Sequence, residues 1–318
     1  ALLGTLMVPE MSRRGYHKRL SIGPILGVGG LAILIPPSAL AVLLGSIARI
    51  DVGALLIAGL LPGLILAALY TLVIIVNIRI DPDAAPAYDV QVLSAAERLR
   101  LVVVDVLPMG LVIFLVIGMI VLGWATPTES AALGVLGVLI LAVAYRCFSL
   151  EAVVRALLGA MRVTVMMFMI ILGSTTFSQV LAFSGATGSL IEWIGATEVS
   201  ALAALAVMFA VMVLMGAFMD QLSMMMLTVP VFMPIALNYG FHPVWFGVIV
   251  LLALEISLTM PPMGLLLFVM KGVAPPGTRL QEIWLAALPF MACAVVLVGL
   301  LVALPGIALW IPQLAGMR

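Results

Sequence analysis

The chain has 318 residues, of which 65% are hydrophobic and 9% are charged. A soluble domain has about 45–50% apolar and about 25% charged residues, so this composition excludes a water-soluble globule. The 14 basic and 14 acidic residues give zero formal net charge, which argues against nucleic acid as a partner. A mean hydropathy of +1.36 and 29 glycines are typical of an all-α polytopic membrane protein surrounded by membrane lipid.

Nine apolar segments are candidate membrane spans. A span needs about 20 apolar residues to cross a hydrocarbon core of roughly 30 Å. Charged and turn-forming residues fall between the segments, above all in the polar loop Asp81–Arg100 with its helix-breaking run DPDAAP. In chain order the segments are Leu20–Ala48, Val52–Ile78, Leu101–Trp124, Ala131–Phe148, Arg162–Phe183, Leu202–Met219, Met224–Leu237, Val244–Met270 and Ile283–Ile311.

Basic side chains gather in the loops on one side of the predicted membrane. Of the 14 Lys and Arg residues, only Arg49 and Arg318 fall on the opposite side. The positive-inside rule therefore places the basic loops in the cytoplasm. Residues 1–10 read as the end of an apolar element without a charged segment before it, so they are not a signal peptide. We expect the N-terminal part of the protein to be missing from this sequence.

A re-entrant hairpin is predicted from two neighbouring segments, Leu202–Met219 and Met224–Leu237. The second segment is too short to cross the membrane, and the polar run Asp220–Ser223 joins it to the first. If both limbs start from the periplasmic side, the tip stops inside the membrane, where non-helical backbone must be buried in protein or line a watery cavity. Two ordinary spans joined by a polar turn are the alternative.

Two stretches of the chain resemble each other. One reads GYHKRLSIGPILGVGGLAILIPPS from Gly15, and the other reads GFHPVWFGVIVLLALEISLTMPPM from Gly240. In both, a Gly-aromatic-His run precedes a Pro-Pro pair by the same 21 residues. The charge pattern makes the first copy enter from the cytoplasm and the second from the periplasm. Such inverted repeats with interrupted helices are typical of secondary transporters.

Each Pro-Pro pair is predicted to break its helix, because a proline removes the hydrogen bond to the carbonyl four residues earlier and clashes with it. A free carbonyl is costly in lipid, and an uncharged cluster of oxygens suits a monovalent cation such as Na⁺. Ordinary proline kinks packed by neighbouring side chains are the alternative. The carbonyls freed are predicted to be those of Ala32, Ile33, Ser257 and Leu258, with the hydroxyls of Ser38, Ser257 and Thr259 beside them.

Four acidic residues lie in apolar segments, where an ionisable side chain is costly and is a functional candidate. Asp220 is the strongest because it lies at the predicted hairpin tip. Asp105 and Glu129 are predicted to be interfacial or helix-capping, and the run ATPTES around Glu129 has the pattern of a helix start. Glu255 is predicted to pair with a backbone donor or help hold the fold, with a proton relay as the alternative.

An enzyme is not expected. The chain has neither an HExxH nor a GxSxG motif, and both of its histidines lie in loops. An intramembrane aspartyl site formed by Asp105 and Asp220 is the enzymatic alternative, but it would leave the internal repeat unexplained.

Six runs of the sequence, taken in order, resemble the large membrane subunit of tripartite ATP-independent periplasmic (TRAP) transporters. They are VPEMSRRGY, LAILIPPS, ATPTES, MGAFMD, GFHPVWFGV and LEISLTMPPMG. The resemblance covers the whole chain. It implies import of an organic acid, often a dicarboxylate or sialic acid, driven by a Na⁺ gradient across the bacterial inner membrane. It also implies a periplasmic substrate-binding protein, a small membrane subunit and an elevator fold. A symporter of the same general fold that works without a binding protein is the alternative.

The resemblance also implies site residues, with Na⁺ as the coupling ion and no other cofactor. Family members commonly have glycine where Ala32 stands and asparagine where Leu266 stands, and their first hairpin tip, which helps form the first Na⁺ site, precedes the position of Ala1. One Na⁺ site is implied around Ala32, Ile35 and Pro37, and another around Gly216, Thr259 and Pro262. We expect further substrate and transport contacts from Pro36, Ser38, Asp220, Ser223, Pro261 and Gly264.

On this basis we expect four segments. Residues 1–48 and 200–273 are the two transport-domain segments, each with part of a hairpin and a broken helix. Residues 49–199 are scaffold and connecting helices, including a cytoplasmic loop at 79–100, and residues 274–318 are a C-terminal transmembrane helix.

Overall fold

The computed structural model describes residues 2–86, 94–185, 189, 199–275 and 277–316. Every regular element in these ranges is helical. The helices are α1 Leu2–Arg13, α2 Lys18–Leu31, α3 Ala39–Ala48, α4 Val52–Ile80, α5 Ala95–Val121, α6 Pro127–Ala144, α7 Leu150–Phe183, α8 Ala201–Gly216, α9 Gln221–Asn238, α10 Pro243–Ser257, α11 Leu265–Val273, α12 Leu280–Ala303 and α13 Gly306–Leu314.

Six of the described helices are long and apolar enough to cross a membrane: α4, α5, α6, α7 over Leu150–Phe177, α9 and α12. An all-helical chain with this many apolar helices agrees with the predicted polytopic membrane protein.

The chain forms two compact units, of which the first comprises Ala1–Tyr88 and Ser174–Gln313. Its centre is α10, whose residues from Val244 to Ser257 are all buried. A helix that is apolar on every side is stable only when other helices surround it, and α2, α3, α4, α8, α9 and α12 pack against α10. The indole of Trp245 near the start of α10 is hydrogen-bonded, since its Nε1 donates to the carbonyl oxygen of Leu301 at 2.9 Å.

The second unit comprises Asp89–Gly173 and Leu314–Arg318. Helix α5 contains two π-helical turns, Val102–Val106 and Phe114–Gly118, and α6 packs against it. Asp105 lies in the first of these turns, so it is not a helix cap, and its predicted interfacial position stays a prediction.

Two of the predicted spans are parts of longer helices in the structure. The short segment Met224–Leu237 is part of α9, which has 18 residues, so its length does not prevent it from crossing. Proline causes no break here because α9 contains Pro230 and Pro234 within the helix. The predicted span Arg162–Phe183 is the second part of α7. The re-entrant path of the α8–α9 hairpin stays a prediction, as does the division of the chain into four segments.

The two copies of the internal repeat have the same order of elements. A helix ends, a glycine with positive φ follows (Gly15 at 83°, Gly240 at 77°), and a helix, a seven-residue break and a second helix come next. The hydrogen bonds at the helix ends also match, because the amides of Tyr16 and Phe241 each donate to the carbonyl five residues earlier, at 3.0 Å. This is a glycine-terminated helix cap, and it explains why glycine stands there. The inverted relation of the two copies across a membrane stays a prediction.

The start of α6 confirms the capping role predicted for the ATPTES run. Thr126 and Glu129 form a capping box, in which the carboxylate of Glu129 accepts from the Thr126 amide at 2.8 Å. We expect Thr126→Ala to lower the free energy of unfolding by about 1 kcal/mol, because the hydroxyl that accepts a hydrogen bond from the Glu129 amide is lost. Unfolding in mixed micelles measures this change. The neighbouring exposed Thr128 is the control, and an equal loss in Thr128→Ala would show that capping is not the cause.

Candidate functional site

The first break, residues 32–38, lies between α2 and α3 and contains the Pro36–Pro37 pair with its cis peptide bond. Within the described part of the chain, the carbonyl oxygens of Ala32 and Ile33 accept no hydrogen bond, as the sequence predicts. Ser38 is buried, and its hydroxyl accepts a hydrogen bond from the amide of Ala41 at 3.2 Å. Its structural role is therefore to cap α3.

Helix α4 packs closely against this break. Gly59 lies against the backbone of the break, and a Cβ atom at Gly63 would lie 2.5 Å from Cγ1 of Ile35. The two glycines therefore let the backbone of α4 approach the break. Of the ligands implied for the first Na⁺ site, Ile35 is half-buried, whereas Ala32 and Pro37 are exposed.

The second break, residues 258–264, lies between α10 and α11 and contains the Pro261–Pro262 pair, also with a cis peptide bond. Thr259 is buried and donates its hydroxyl hydrogen to the carbonyl oxygen of Ile256 at 3.2 Å. This leaves the lone pairs of the hydroxyl oxygen available to a ligand. Gly264 is buried against two carbonyl oxygens of the break.

The carbonyls predicted to be free at the second break are hydrogen-bonded, so that prediction is wrong. The carbonyl of Ser257 accepts from the amide of Met260 at 3.2 Å, and that of Leu258 accepts from the amide of Leu266 at 3.1 Å. The chain turns tightly after α10, and this turn supplies new donors in place of those that the prolines lack. Among the described residues, the carbonyls of Thr259 and Met260 accept no hydrogen bond instead.

The tip of the α8–α9 hairpin lies on the second break. Gly216, the last residue of α8, lies against the side chain of Ser257 at the end of α10. The carbonyl oxygen of Ala217 accepts a hydrogen bond from the amide of Met263, next to Pro262, at 3.0 Å. The fold therefore brings Gly216 to the break that carries the other two ligands implied for the second site.

Asp220, the strongest acidic candidate from the sequence, is the N-cap of α9. Its carboxylate accepts from the amide of Ser223 at 3.1 Å and from the hydroxyl of Ser223 at 2.6 Å. A carboxylate at a helix N-terminus satisfies free amides and favours the positive end of the helix dipole. Asp220 is exposed at the hairpin tip, so these bonds explain its position without any contact to a ligand.

Glu255 connects the two broken helices. It lies in the last turn of α10, is 5% exposed, and accepts a hydrogen bond from the hydroxyl of Tyr70 on α4. A Cβ atom at Gly30, in the last turn of α2, would lie 2.6 Å from Cγ of Glu255. The predicted backbone donor is thus replaced by a tyrosine that the sequence analysis missed. The available signal was a lone tyrosine inside an apolar span, since a buried tyrosine hydroxyl usually has a partner.

The arrangement is suited to binding a small cation. Two helices end at breaks, and a helix C-terminus carries partial negative charge. Unpaired carbonyl oxygens and a buried hydroxyl lie at these ends, and neither break contains a Lys or Arg residue. Oxygen ligands at interrupted helices fit Na⁺.

Comparison with known proteins identifies the family. Residues 1–307 match the family described as the tripartite ATP-independent periplasmic transporter, DctM component. The chain is 31% identical to the C4-dicarboxylate TRAP transporter large permease protein DctM of Pseudomonas aeruginosa, over 100% of this chain and 73% of that protein. Its identity to the protein of the same name from Rhodobacter capsulatus is 29%, over 99% of this chain and 73% of that protein. It is also 30% identical to the ectoine/5-hydroxyectoine TRAP transporter large permease protein UehC of Ruegeria pomeroyi, over 98% of this chain and 72% of that protein.

These relatives are transporter permease subunits and not enzymes, which confirms that no catalytic site is to be expected. Large permease components of this family work in general with a binding protein and a small subunit, and the family implies a place in the inner membrane. The chain belongs to the DctM family of TRAP transporter large permease proteins.

Proposed function

We propose that this chain forms the ion-binding and substrate-binding part of a Na⁺-coupled importer for a small organic acid. The observation that supports this most directly is the pair of broken helices, whose last turns meet through Gly30 and Glu255. Each break has carbonyl oxygens without a hydrogen bond in the described structure. Na⁺ bound at both breaks would neutralise two negative helix ends at one place.

We propose a carboxylate as the substrate, and a dicarboxylate or a similar acid as the first candidate. Two of the relatives above carry C4-dicarboxylate in their names, and one carries ectoine, which supports a small carboxylate. No Lys or Arg lies in the breaks to pair with the carboxylate. Bound Na⁺ is therefore the proposed source of positive charge, and the substrate would bind only after the ion.

We propose that a periplasmic binding protein delivers the substrate and that a small membrane subunit completes the complex. The two transport-domain segments would then move together past the scaffold in an elevator motion. The contact of Gly30 in the first segment with Glu255 in the second supports this, because it holds the two segments together. Uptake by the membrane subunits alone, without any binding protein, would favour the binding-protein-independent symporter.

The double substitution Pro261→Ala and Pro262→Ala tests the role of the second break. Alanine restores amide donors and favours helix, so α10 and α11 are expected to extend into the break and displace its free carbonyls. We expect the Na⁺ concentration for half-maximal uptake to rise at least about fivefold, as for a loss of roughly 1 kcal/mol in coupling. Uptake into proteoliposomes that contain the intact transporter measures it.

Pro289→Ala is the matched control for this experiment. Pro289 is exposed and lies inside α12, which is continuous around it. It is expected to leave the Na⁺ dependence unchanged. An unchanged Na⁺ dependence in the double variant would contradict the proposed role of the break.

A further inference from the structure

A small cavity lies between four helices of the first unit, beside Glu255. Its volume is about 10 Å³, which is room for roughly one water molecule. α2, α4, α10 and α12 form its walls, and most of these walls are apolar. The polar side chains that line it are Tyr70, Glu255 and Thr259.

One carboxylate oxygen of Glu255, which lines this cavity, has no hydrogen-bond partner among the described residues. Oε1 accepts the hydroxyl hydrogen of Tyr70, whereas Oε2 is buried and makes no hydrogen bond with any residue that the structure describes. A buried carboxylate without a partner is costly, because its charge is neither solvated nor paired. Only 5% of the Glu255 residue is exposed.

The surroundings of Glu255 favour positive charge at this place. Glu255 lies in the last turn of α10 and touches Gly30 in the last turn of α2, so two negative helix ends and a carboxylate meet there. No Lys or Arg in the described part of the chain lines the cavity. A positive particle in the cavity would offset all three negative groups.

The titratable groups around Glu255 are few among the described residues. Tyr70 on α4 and Cys293 on α12 face it, whereas α3, α8 and α9 contain no titratable side chain. The charged side chains of the other packed helices lie more than one helical turn from the nearest residue that lines the cavity; they are Lys18, Arg19, Arg79 and Glu282.

We propose that this cavity binds one small particle with a single positive charge, which pairs with Oε2 of Glu255 between the two breaks. The particle is a sodium ion or a proton held on Oε2. In the first case the hydroxyl oxygen of Thr259 is a second ligand. The site rests on the proposed function, since the particle would add a third positive charge to the ions bound at the two breaks. Binding of the particle would then change the affinity of both breaks for their ions.

The experiment counts bound ions and is independent of transport. Equilibrium dialysis with radioactive sodium gives the number of sodium ions bound to the intact permease at a mildly acidic and a mildly basic pH. A pH indicator in weakly buffered solution gives the protons that the same protein takes up between these two pH values. Glu255→Gln keeps the size of the side chain and the acceptor for Tyr70 but removes the negative charge.

Two results would support the site and identify its occupant. If sodium is bound, Glu255→Gln binds one sodium ion fewer than the unsubstituted protein at both pH values. If a proton is bound, the unsubstituted protein takes it up between the two pH values, so that the sodium count is unchanged and the variant takes up one proton fewer. Glu151→Gln is the control, because Glu151 is a surface carboxylate with 80% of its side chain exposed, and it should leave the sodium count unchanged.

Equal sodium and proton counts in Glu255→Gln and the unsubstituted protein would overturn the proposal. If Glu255→Gln does not fold, Glu255→Asp replaces it, since its carboxylate is withdrawn from the cavity by one methylene group. The Glu255→Asp variant is expected to bind the same number of sodium ions or protons, but to bind the particle at least about fivefold more weakly. An unchanged affinity would again overturn the site. Because uptake is not measured, failure of this site is distinguishable from failure of Na⁺-coupled transport, which the proline variants test.

Discussion

Gly264→Ala is expected to raise the Na⁺ concentration for half-maximal uptake by roughly five- to 150-fold, the equivalent of 1–3 kcal/mol. A Cβ atom at this position would lie 2.9 Å from the carbonyl oxygens of both Leu258 and Met260. Gly264 has φ of −48° and ψ of 109°, which alanine also adopts, so the cost is steric. Backbone oxygens cannot turn away as a flexible side chain can, and the break itself must shift.

Gly272→Ala is the matched control for this substitution. Gly272 lies in α11, the helix that Gly264 directly precedes, and a Cβ atom there meets no atom within 4 Å. Uptake measured over a series of Na⁺ concentrations should be the same for this variant as for the unsubstituted protein. If Gly264→Ala also leaves the Na⁺ dependence unchanged, the carbonyls of the second break do not contribute to ion binding.

The two breaks show what the sequence could predict and where its rule failed. The prolines locate both breaks, and the free carbonyls of Ala32 and Ile33 follow from the four-residue spacing of helical hydrogen bonds. The same rule fails at Ser257 and Leu258 because it assumes that no other donor replaces the lost one. At the second break a tight turn and the next helix provide those donors, and their positions depend on tertiary structure.

Contacts between residues that are far apart in the chain could not be predicted from the sequence. Tyr70 and Glu255 are 185 residues apart, and no spacing pattern connects them. Asp220 illustrates a different difficulty, because a carboxylate that starts a helix and a carboxylate that binds a ligand have the same local sequence. Only the bonds to Ser223 distinguish them.

Helix α9 continues through two prolines, and the composition of the segment does not predict this. Its 18 residues include Pro230 and Pro234, where a soluble helix would be expected to kink or end. Membrane helices tolerate proline because neighbouring helices and side chains satisfy the freed groups. The family resemblance, by contrast, needed no tertiary information and is confirmed.

Gly216→Ala is expected to separate the hairpin tip from the second break. A Cβ atom at this buried position would clash with the side chain of Ser257 and would lie 3.0 Å from Sδ of Met224. Overpacking of this kind costs about 1–3 kcal/mol in stability. The hydrogen bond between Ala217 and Met263 is directly next to the clash, so apparent Na⁺ affinity should fall together with the free energy of unfolding.

A second substitution that removes the side chain of Ser257 is expected to relieve the clash. In the double variant Gly216→Ala with Ser257→Gly, the new methyl group occupies the space that the Ser257 side chain has left. The glycine at 257 costs up to about 1 kcal/mol in helix propensity by itself. If the two side chains compete for one space, the double variant is more stable than the sum of the single changes by about 0.5–3 kcal/mol, and it regains Na⁺ affinity. Additive losses in unfolding and in Na⁺-dependent uptake would show that Gly216 and Ser257 do not touch in the ion-binding state.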